Sequence, residues 1–274
     1  MGPRAPRRQG RLRRRLGGAA PPERSHSHLG DRLRRPVHQL VPESYDPLLS
    51  ADGRYLAFLS GASDLLAGES TDGFDGSPGA YLYDRITGAL TLLSHRRDTP
   101  LVVEAVYSSL VMSADGRYLA FATLAGDLDP TLPPEGTSLY IYDRVAGSYQ
   151  RVASSSYAGE DLTLSADGRI LAIYGFSNGF SYYDRITRAV STVSGVSVDD
   201  GGLALSGDGR YVAFASDNPN LVPGLIRLRG WDSSDIFLLD RTTGTTTLVN
   251  QWQGSAVTSL GYASAPLISA DGQR

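Results

Sequence analysis

Residues 50–58 read Ser-Ala-Asp-Gly-Arg-Tyr-Leu-Ala-Phe, and this phrase decides the fold because the chain repeats it. It recurs with few changes at residues 113–121, 165–173 and 206–214. Its first four residues, Ser-Ala-Asp-Gly, occur a fifth time at residues 269–272. Repetition of this kind is typical of proteins built from one stacked supersecondary unit, because each unit buries its apolar face against the next.

A second phrase, Tyr-Asp-Arg, follows each complete copy of the first. It occupies residues 83–85, 142–144 and 183–185, and the fourth copy has Leu239 in place of the tyrosine. The Asp-Gly pair of the first phrase is a strong hairpin signal, since both residues tolerate positive φ. In the first unit the two phrases predict the strands Tyr45–Leu49, Arg54–Ser60, Ala80–Arg85 and Leu90–Ser94. The sequence therefore predicts an all-β β-propeller of four-stranded antiparallel blades, with four complete repeats and the start of a fifth.

The paired phrases resemble the TolB-like propeller repeat of bacterial proteins, and the resemblance extends over residues 41–274. It implies a bacterial cell-envelope setting, periplasmic or extracellular, and a protein or polymer partner docked on one face. It also implies that Ser-x-Asp-Gly is a structural turn whose aspartate binds nearby backbone amides. Three positions depart from the pattern, because Ile170 and Leu239 stand where tyrosine is expected and Arg188 stands where glycine is expected.

The two phrases supply a pair of aspartates to every complete blade, and we interpret these carboxylates as structural. A residue that recurs at the same turn of each repeat is required by the packing of the repeat, so it does not indicate a single site. The residues concerned are Asp52, Asp115, Asp167 and Asp208 in the first phrase, and Asp84, Asp143, Asp184 and Asp240 in the second.

Charge divides the chain near residue 40. Residues 1–40 contain 11 arginines and two acids, whereas residues 41–274 contain 15 arginines and 27 acids. The first segment is predicted to be a disordered Arg-rich tail; the alternatives are an arm that binds nucleic acid or anionic membrane, and a wrongly assigned start codon. The acidic domain is predicted not to bind nucleic acid. No apolar run is long enough to predict a signal peptide or a transmembrane segment.

The loops between the second and third strands differ in length from unit to unit. They cover residues 61–79, 124–138 and 217–234, but only 175–179 in the third unit. Long loops on a rigid scaffold are where binding usually takes place. Solvated acidic loops are the alternative interpretation. The aspartates of residues 72–76 suggest calcium but lack the regular ligand spacing of a calcium loop, so calcium binding there is left open. The predicted binding residues are Asp72, Asp75, Asp127, Asp129, Trp231, Asp232 and Asp235, with Trp252 in a following connection.

Signals for catalysis are weak. The chain has no cysteine, and three of its four histidines precede residue 40, so no metal site is predicted. Residues 175–179 match the Gly-x-Ser-x-Gly elbow of hydrolases, but every histidine precedes them and the predicted hairpin is not the strand-to-helix turn that the elbow needs. Acids are plentiful, so an acid pair for glycoside cleavage is left open. We expect no cofactor and no enzymatic activity.

The sequence thus favours a non-catalytic protein- or polymer-binding propeller module that uses long acidic loops on one face. The alternative is a substrate-filtering propeller of a prolyl-oligopeptidase-like or glycan-acting enzyme whose catalytic part is missing. We also expect residues 41–274 to be a C-terminally truncated domain, because the fifth phrase breaks off where the next strand should begin. The uncovered edge of a last blade would be an aggregation hazard.

Overall fold

The computed structural model is built from β-strands, turns and loops, and its described residues form no helix, hence none that could cross a membrane. All described residues belong to one compact unit, Val41–Arg274. The structure describes residues 44–62, 64–71, 78–154, 161–174, 179–196, 198–228, 234–259 and 263–274.

The strands follow the sequence repeat. The first repeat and its connection to the second contain β1 (Ser44–Leu49), β2 (Tyr55–Ser60), β3 (Ser70–Thr71), β4 (Gly79–Asp84), β5 (Leu90–Leu92), β6 (His95–Arg96) and β7 (Thr99–Val103). The second repeat contains β8 (Val111–Met112), β9 (Tyr118–Thr123), β10 (Ser138–Asp143) and β11 (Ser148–Ser154). The third contains β12 (Leu162–Leu164), β13 (Ile170–Tyr174), β14 (Gly179–Asp184) and β15 (Ala189–Ser194). The fourth, with the segment after it, contains β16 (Val198–Leu205), β17 (Tyr211–Ser216), β18 (Ile226–Arg227), β19 (Asp235–Asp240), β20 (Thr245–Leu248) and β21 (Thr258–Ser259).

Each complete repeat forms one antiparallel sheet of four strands. The strand orders are β1-β2-β4-β5, β8-β9-β10-β11, β12-β13-β14-β15 and β16-β17-β19-β20, and we call these sheets blades 1 to 4. The predicted all-β propeller architecture of four-stranded blades is confirmed. The strands predicted for the first unit differ from the observed ones by one or two residues at their ends.

The hydrophobic cores lie between neighbouring blades. Tyr55, Leu59 and Leu82 of blade 1 pack with Leu119 and Phe121 of blade 2, and similar clusters join blades 2 and 3 and blades 3 and 4. Successive side chains of a strand point to opposite faces of its sheet. The segment Tyr-Leu-Ala-Phe is therefore apolar at every position because an inner blade is covered on both faces.

A series of backbone hydrogen bonds links the first turns of successive blades. Ala51 N donates to Ala114 O at 2.7 Å, and Ala114 N donates to Ala166 O at 2.9 Å. Ala166 N donates to Gly207 O, and Gly207 N donates to Ala270 O, both at 2.9 Å. The fifth copy of the phrase thus takes the position of the next turn, beside blade 4.

Two accessory sheets tie the long loops to the connections that follow their blades. In blade 1, β3 pairs in parallel with β7, and β7 pairs with β6. In blade 4, β18 pairs in parallel with β21. The Asp-Gly turns and the third-to-fourth strand turns lie at one end of each blade, which we call the turn face. The long loops, the connections and the accessory sheets lie at the other end, which we call the loop face.

Candidate binding face

Each Ser-x-Asp-Gly turn is closed by its own side chains. In blade 2, Ser113 Oγ donates to Asp115 Oδ1 at 2.7 Å and accepts from Tyr118 N at 2.9 Å. The same carboxylate accepts from Arg117 N at 2.9 Å, and Gly116 has a φ of 67°, which favours glycine. The other turns repeat these bonds. The carboxylates held by local backbone in this way are Asp52, Asp115, Asp167, Asp208 and Asp271.

The aspartate of the second phrase forms an ion pair with the arginine of the first. Arg54 Nε lies 3.0 Å from Asp84 Oδ1, and Arg54 Nη2 lies 2.8 Å from Asp84 Oδ2. The hydrogen bonds from Arg54 hold the pKa of Asp84 well below its usual range, and those from Arg210 lower the pKa of Asp240 to about 2. The remaining pairs are Arg117–Asp143 and Arg169–Asp184.

Two of the predicted binding acids point into the protein. Asp129 is buried, and its Oδ2 accepts a hydrogen bond from Arg151 N at 3.1 Å. Asp235 is completely buried; its Oδ2 accepts from Arg227 Nε at 2.7 Å, and its Oδ1 accepts from Asn250 Nδ2 at 3.0 Å. Asp129 therefore binds the backbone of strand β11 and Asp235 binds an arginine of strand β18, and neither carboxylate is exposed to a partner.

The other predicted binding residues are less enclosed or lie outside the described residues. Asp127 is half-buried, and the guanidinium of Arg97 donates from Nε to its backbone oxygen at 3.0 Å. Glu69, a further loop acid, accepts hydrogen bonds from Tyr81 Oη and Leu66 N. The predicted residues that lie outside the described part of the chain are Asp72, Asp75, Trp231 and Asp232.

The accessory sheet of blade 4 presents apolar side chains to solvent. Ile226 pairs with Thr258 and Arg227 pairs with Ser259, so successive residues alternate between two faces. Arg227 and Ser259 form the inward row and are buried. An antiparallel bridge joins Gln251 to Ser259, and Trp252 N donates to Thr258 O at 2.6 Å, so Trp252 lies opposite Thr258 on the outward row.

Three residues make up this outward surface, which we call the apolar patch. Ile226 is 55% exposed, Leu228 is 54% exposed and Trp252 is 48% exposed. Leu228 lies two residues beyond Ile226 and continues the same pairing, because its N donates to Ser259 O at 3.0 Å. Sequence reasoning considered Trp252 but missed Ile226 and Leu228. The signal for them is the Ile-Arg-Leu alternation at residues 226–228, typical of a short strand with one inward arginine.

No metal centre is found in the described part of the chain. No group of three or more His, Asp or Glu side chains there could hold a metal ion. The segment 72–76, considered for calcium, and most of the Gly-x-Ser-x-Gly segment, residues 175–178, lie outside the described residues.

Comparison with known proteins gives a structural neighbour and no relative by sequence. No protein-family model matches the chain, and no curated protein matches it. Among solved structures, TolB from Acinetobacter baumannii is similar to it, with 18% sequence identity and a TM-score of 0.45. The match covers 85% of this chain and 47% of that TolB chain, so this chain spans about half the length of its neighbour.

Proposed function

We propose that this protein is a non-catalytic binding module that holds a protein partner on its loop face through the apolar patch. The observation that supports this is the outward row formed by Ile226 and Trp252, with Leu228 beside it. Exposed apolar side chains grouped in this way mark interaction sites more often than scattered ones do. The buried acids Asp129 and Asp235 are hydrogen-bonded inside the protein, so the patch replaces them in the proposal.

The patch has a rigid support. Ile226 and Leu228 flank Arg227, whose guanidinium is paired with the buried carboxylate of Asp235. A backbone segment held by strand pairing and a buried ion pair loses little conformational entropy on binding, which favours affinity. Tryptophan is among the residues that contribute most to protein interfaces, so Trp252 is the expected anchor.

The charge of the domain favours one kind of protein partner. Residues 41–274 contain 27 acids and 15 arginines, so the acidic domain attracts a partner that has basic residues around an apolar centre. The cell-envelope setting is part of the proposal and is supported by the resemblance of the repeats. Fractionation of the producing cells tests the setting, because recovery in the cytosol alone would contradict it.

A capture experiment tests the patch. The purified chain is immobilised and exposed to envelope extract beside two variants. One is the double variant Leu228→Ser/Trp252→Ala on the loop face, and the other is the single variant Val145→Ser on the turn face. Val145 is a matched control because it is 64% exposed and apolar. We expect a discrete protein to bind wild type and Val145→Ser but not the patch variant, with unchanged melting temperatures. Equal capture by all three proteins would refute the role of the patch.

A panel of peptide and glycan substrates tests the non-catalytic part of the proposal. We expect no turnover above that of a heat-denatured sample. Turnover that disappears when loop acids such as Asp127 are substituted would instead favour a glycan- or peptide-acting enzyme.

A further inference from the structure

The last strand of each blade lies at an open edge of its sheet. The first strands of the blades are joined through the backbone bonds of their turns, so the last strands form the outer edges. In the part of the chain that the structure describes, β5, β11, β15 and β20 each pair with a single strand. Unpaired N–H and C=O groups on a sheet edge bind strands of other chains, and proteins protect such edges with short strands, charged side chains or bulges.

Three of the four outer edges carry such protection. β5 has three residues and β20 has four. β11 is longer, but it contains Arg151, and its pairing with β10 shifts register between Leu139 and Tyr140, which marks a bulge. These strands therefore offer little continuous edge to another chain.

β15 has none of these features. It reads Ala-Val-Ser-Thr-Val-Ser over six residues, without a charge or a proline, and pairs with β14 in one unbroken register. Blade 3 packs against blade 2 on one face and blade 4 on the other, so β15 is exposed by its place on the outer edge. Val190 is 57% exposed, and Thr192 and Ser194 are also exposed. β15 is thus the one unprotected outer edge among the described blades.

The turn before β15 shows which of its backbone groups point outward. Arg188 N donates to Asp184 O at 2.7 Å, so the turn closes on Asp184, which pairs with Ala189. In an antiparallel pair, residues that exchange hydrogen bonds alternate with residues that do not. Every second residue after Ala189 therefore bonds to β14, and the residues between direct their N–H and C=O groups away from the blade. These outward residues are Val190, Thr192 and Ser194.

We propose that β15 pairs in antiparallel orientation with β15 of a second copy of this chain, which joins the two copies of blade 3 into one sheet. Contact between two identical surfaces closes on a two-fold axis. Only the outward residues can exchange backbone hydrogen bonds, and the register that uses all of them is centred on Thr192. Thr192 then lies opposite Thr192 of the second copy, and Val190 lies opposite Ser194.

The ends of the paired strands fit a second copy by charge. In this register Ala189 lies opposite Gly195, whose carbonyl accepts a hydrogen bond from the Asn218 side chain. The exposed Arg188 therefore approaches the exposed Asp217 of the other copy, beside Asn218. The contact occurs at both ends and offsets part of the repulsion between two acidic domains. Within the strands no like charges lie opposite each other, because β15 has no charged residue.

Light scattering after size-exclusion chromatography tests the pairing. Thr192→Pro removes one outward N–H but no backbone bond to β14, and proline is tolerated on an edge strand in such a position. Thr246→Pro is the matched control, because Thr246 is an outward residue of β20, one residue after the pair of Thr245 with Asp240. We expect wild type and Thr246→Pro to have twice the chain mass of 29.3 kDa, and Thr192→Pro to have half the wild-type mass.

A cysteine cross-link tests the register. The chain contains no cysteine, so Thr192→Cys supplies a single thiol per copy. Residues that exchange hydrogen bonds across an antiparallel pair have Cα atoms about 5.5 Å apart, a distance that a disulfide spans. We expect oxidised Thr192→Cys to run as a covalent dimer on a non-reducing gel and Thr246→Cys to run as a monomer.

Three results would overturn the inference: a wild-type protein that is monomeric at all accessible concentrations, a Thr192→Pro variant that keeps the doubled mass, or a doubled mass without the Thr192→Cys disulfide. Melting curves establish that each variant is folded. If Thr192→Pro does not fold, Thr192→Asp replaces it, because like charges would then lie directly opposite each other at the two-fold axis. The pairing uses no residue of the apolar patch, so its outcome is independent of the proposed function.

Discussion

The guanidinium carbon of Arg144 in blade 2 lies 3.8 Å from the centre of the Tyr55 ring in blade 1, and Gly116 lies against the same ring. Both contacts come from the two phrases of one repeat and reach the tyrosine of the preceding blade. Arg185 makes the same contact with Tyr118, also at 3.8 Å. The phrases therefore specify the contact between blades as well as the turns within them.

Adding a methyl group at Gly116 tests this packing. A Cβ there would lie 2.8 Å from Tyr55 Cδ2, on a residue with a φ of +67°. We expect Gly116→Ala to lower the free energy of unfolding by about 2–4 kcal/mol, through overpacking and left-handed backbone strain. Gly147→Ala is the matched control, since Gly147 has a φ of +62° and no atom within 4 Å. It should lose only about 1 kcal/mol, and equal losses in urea unfolding would contradict the packing argument.

Arg188 is a position where the repeat departs from its own pattern at an energetic cost. It adopts a φ of 59° in the turn where blades 1, 2 and 4 have glycine. We expect Arg188→Gly to raise the free energy of unfolding by about 0.5–1 kcal/mol. Relief of the left-handed backbone strain stabilises the fold by more than the added freedom of the unfolded chain destabilises it. Differential scanning calorimetry measures the change. A melting temperature below that of wild type would show that the arginine side chain stabilises the turn.

The Arg–Asp pairs predict a loss of stability in acid. The pKa of Asp240 is about 2 in the folded protein, below the value of about 3.9 for an unfolded aspartate. The pair with Arg210 therefore stabilises the fold fully above pH ~4, and this contribution is lost as the pH falls toward 2. We expect Asp240→Asn to melt below wild type at pH 5 and to approach it at pH 2. Parallel melting curves for the two proteins across this range would contradict the assignment.

Asp235 is predicted to act on stability and not on binding directly. It forms a buried ion pair with Arg227, whose side chain is also buried. Removing one partner of such a pair leaves an uncompensated charge and costs about 3–5 kcal/mol. We expect Asp235→Ala to show this loss in chemical denaturation and Asp127→Ala, at a half-buried loop position, to lose about 1 kcal/mol or less. An unchanged unfolding free energy for Asp235→Ala would contradict this structural role and favour a binding role for that carboxylate.

Features of the repeat could be predicted from the sequence because the residues that form them occur in each of the four complete copies. The blades, the strands to within one or two residues at their ends, and the exceptional Arg188 all follow from comparing copies of two phrases. The direction of these acids could not be predicted, since the path of one loop brings Asp129 to the backbone N of Arg151 in β11, and the path of the other brings Arg227 to Asp235 in β19. Composition shows that a loop is acidic but not where its carboxylates point.

The apolar patch depends on a contact that has no local signal. The parallel pairing of β18 with β21 joins segments on either side of two blade strands. Only that pairing shows that Ile226 and Trp252 lie on one row while Arg227 lies on the other. The alternation at residues 226–228 indicates a short strand, but nothing in it shows which segment that strand pairs with.

Site-specific photo-crosslinking in the producing cells is the most direct test of loop-face binding. A photoreactive phenylalanine analogue replaces Leu228 in one protein and Val145 in another, two apolar residues of similar exposure on opposite faces. We expect position 228 to give a discrete adduct with a second protein and position 145 to give none. An adduct at position 145 alone, or no adduct at position 228, would contradict the proposal that the loop face is the binding surface.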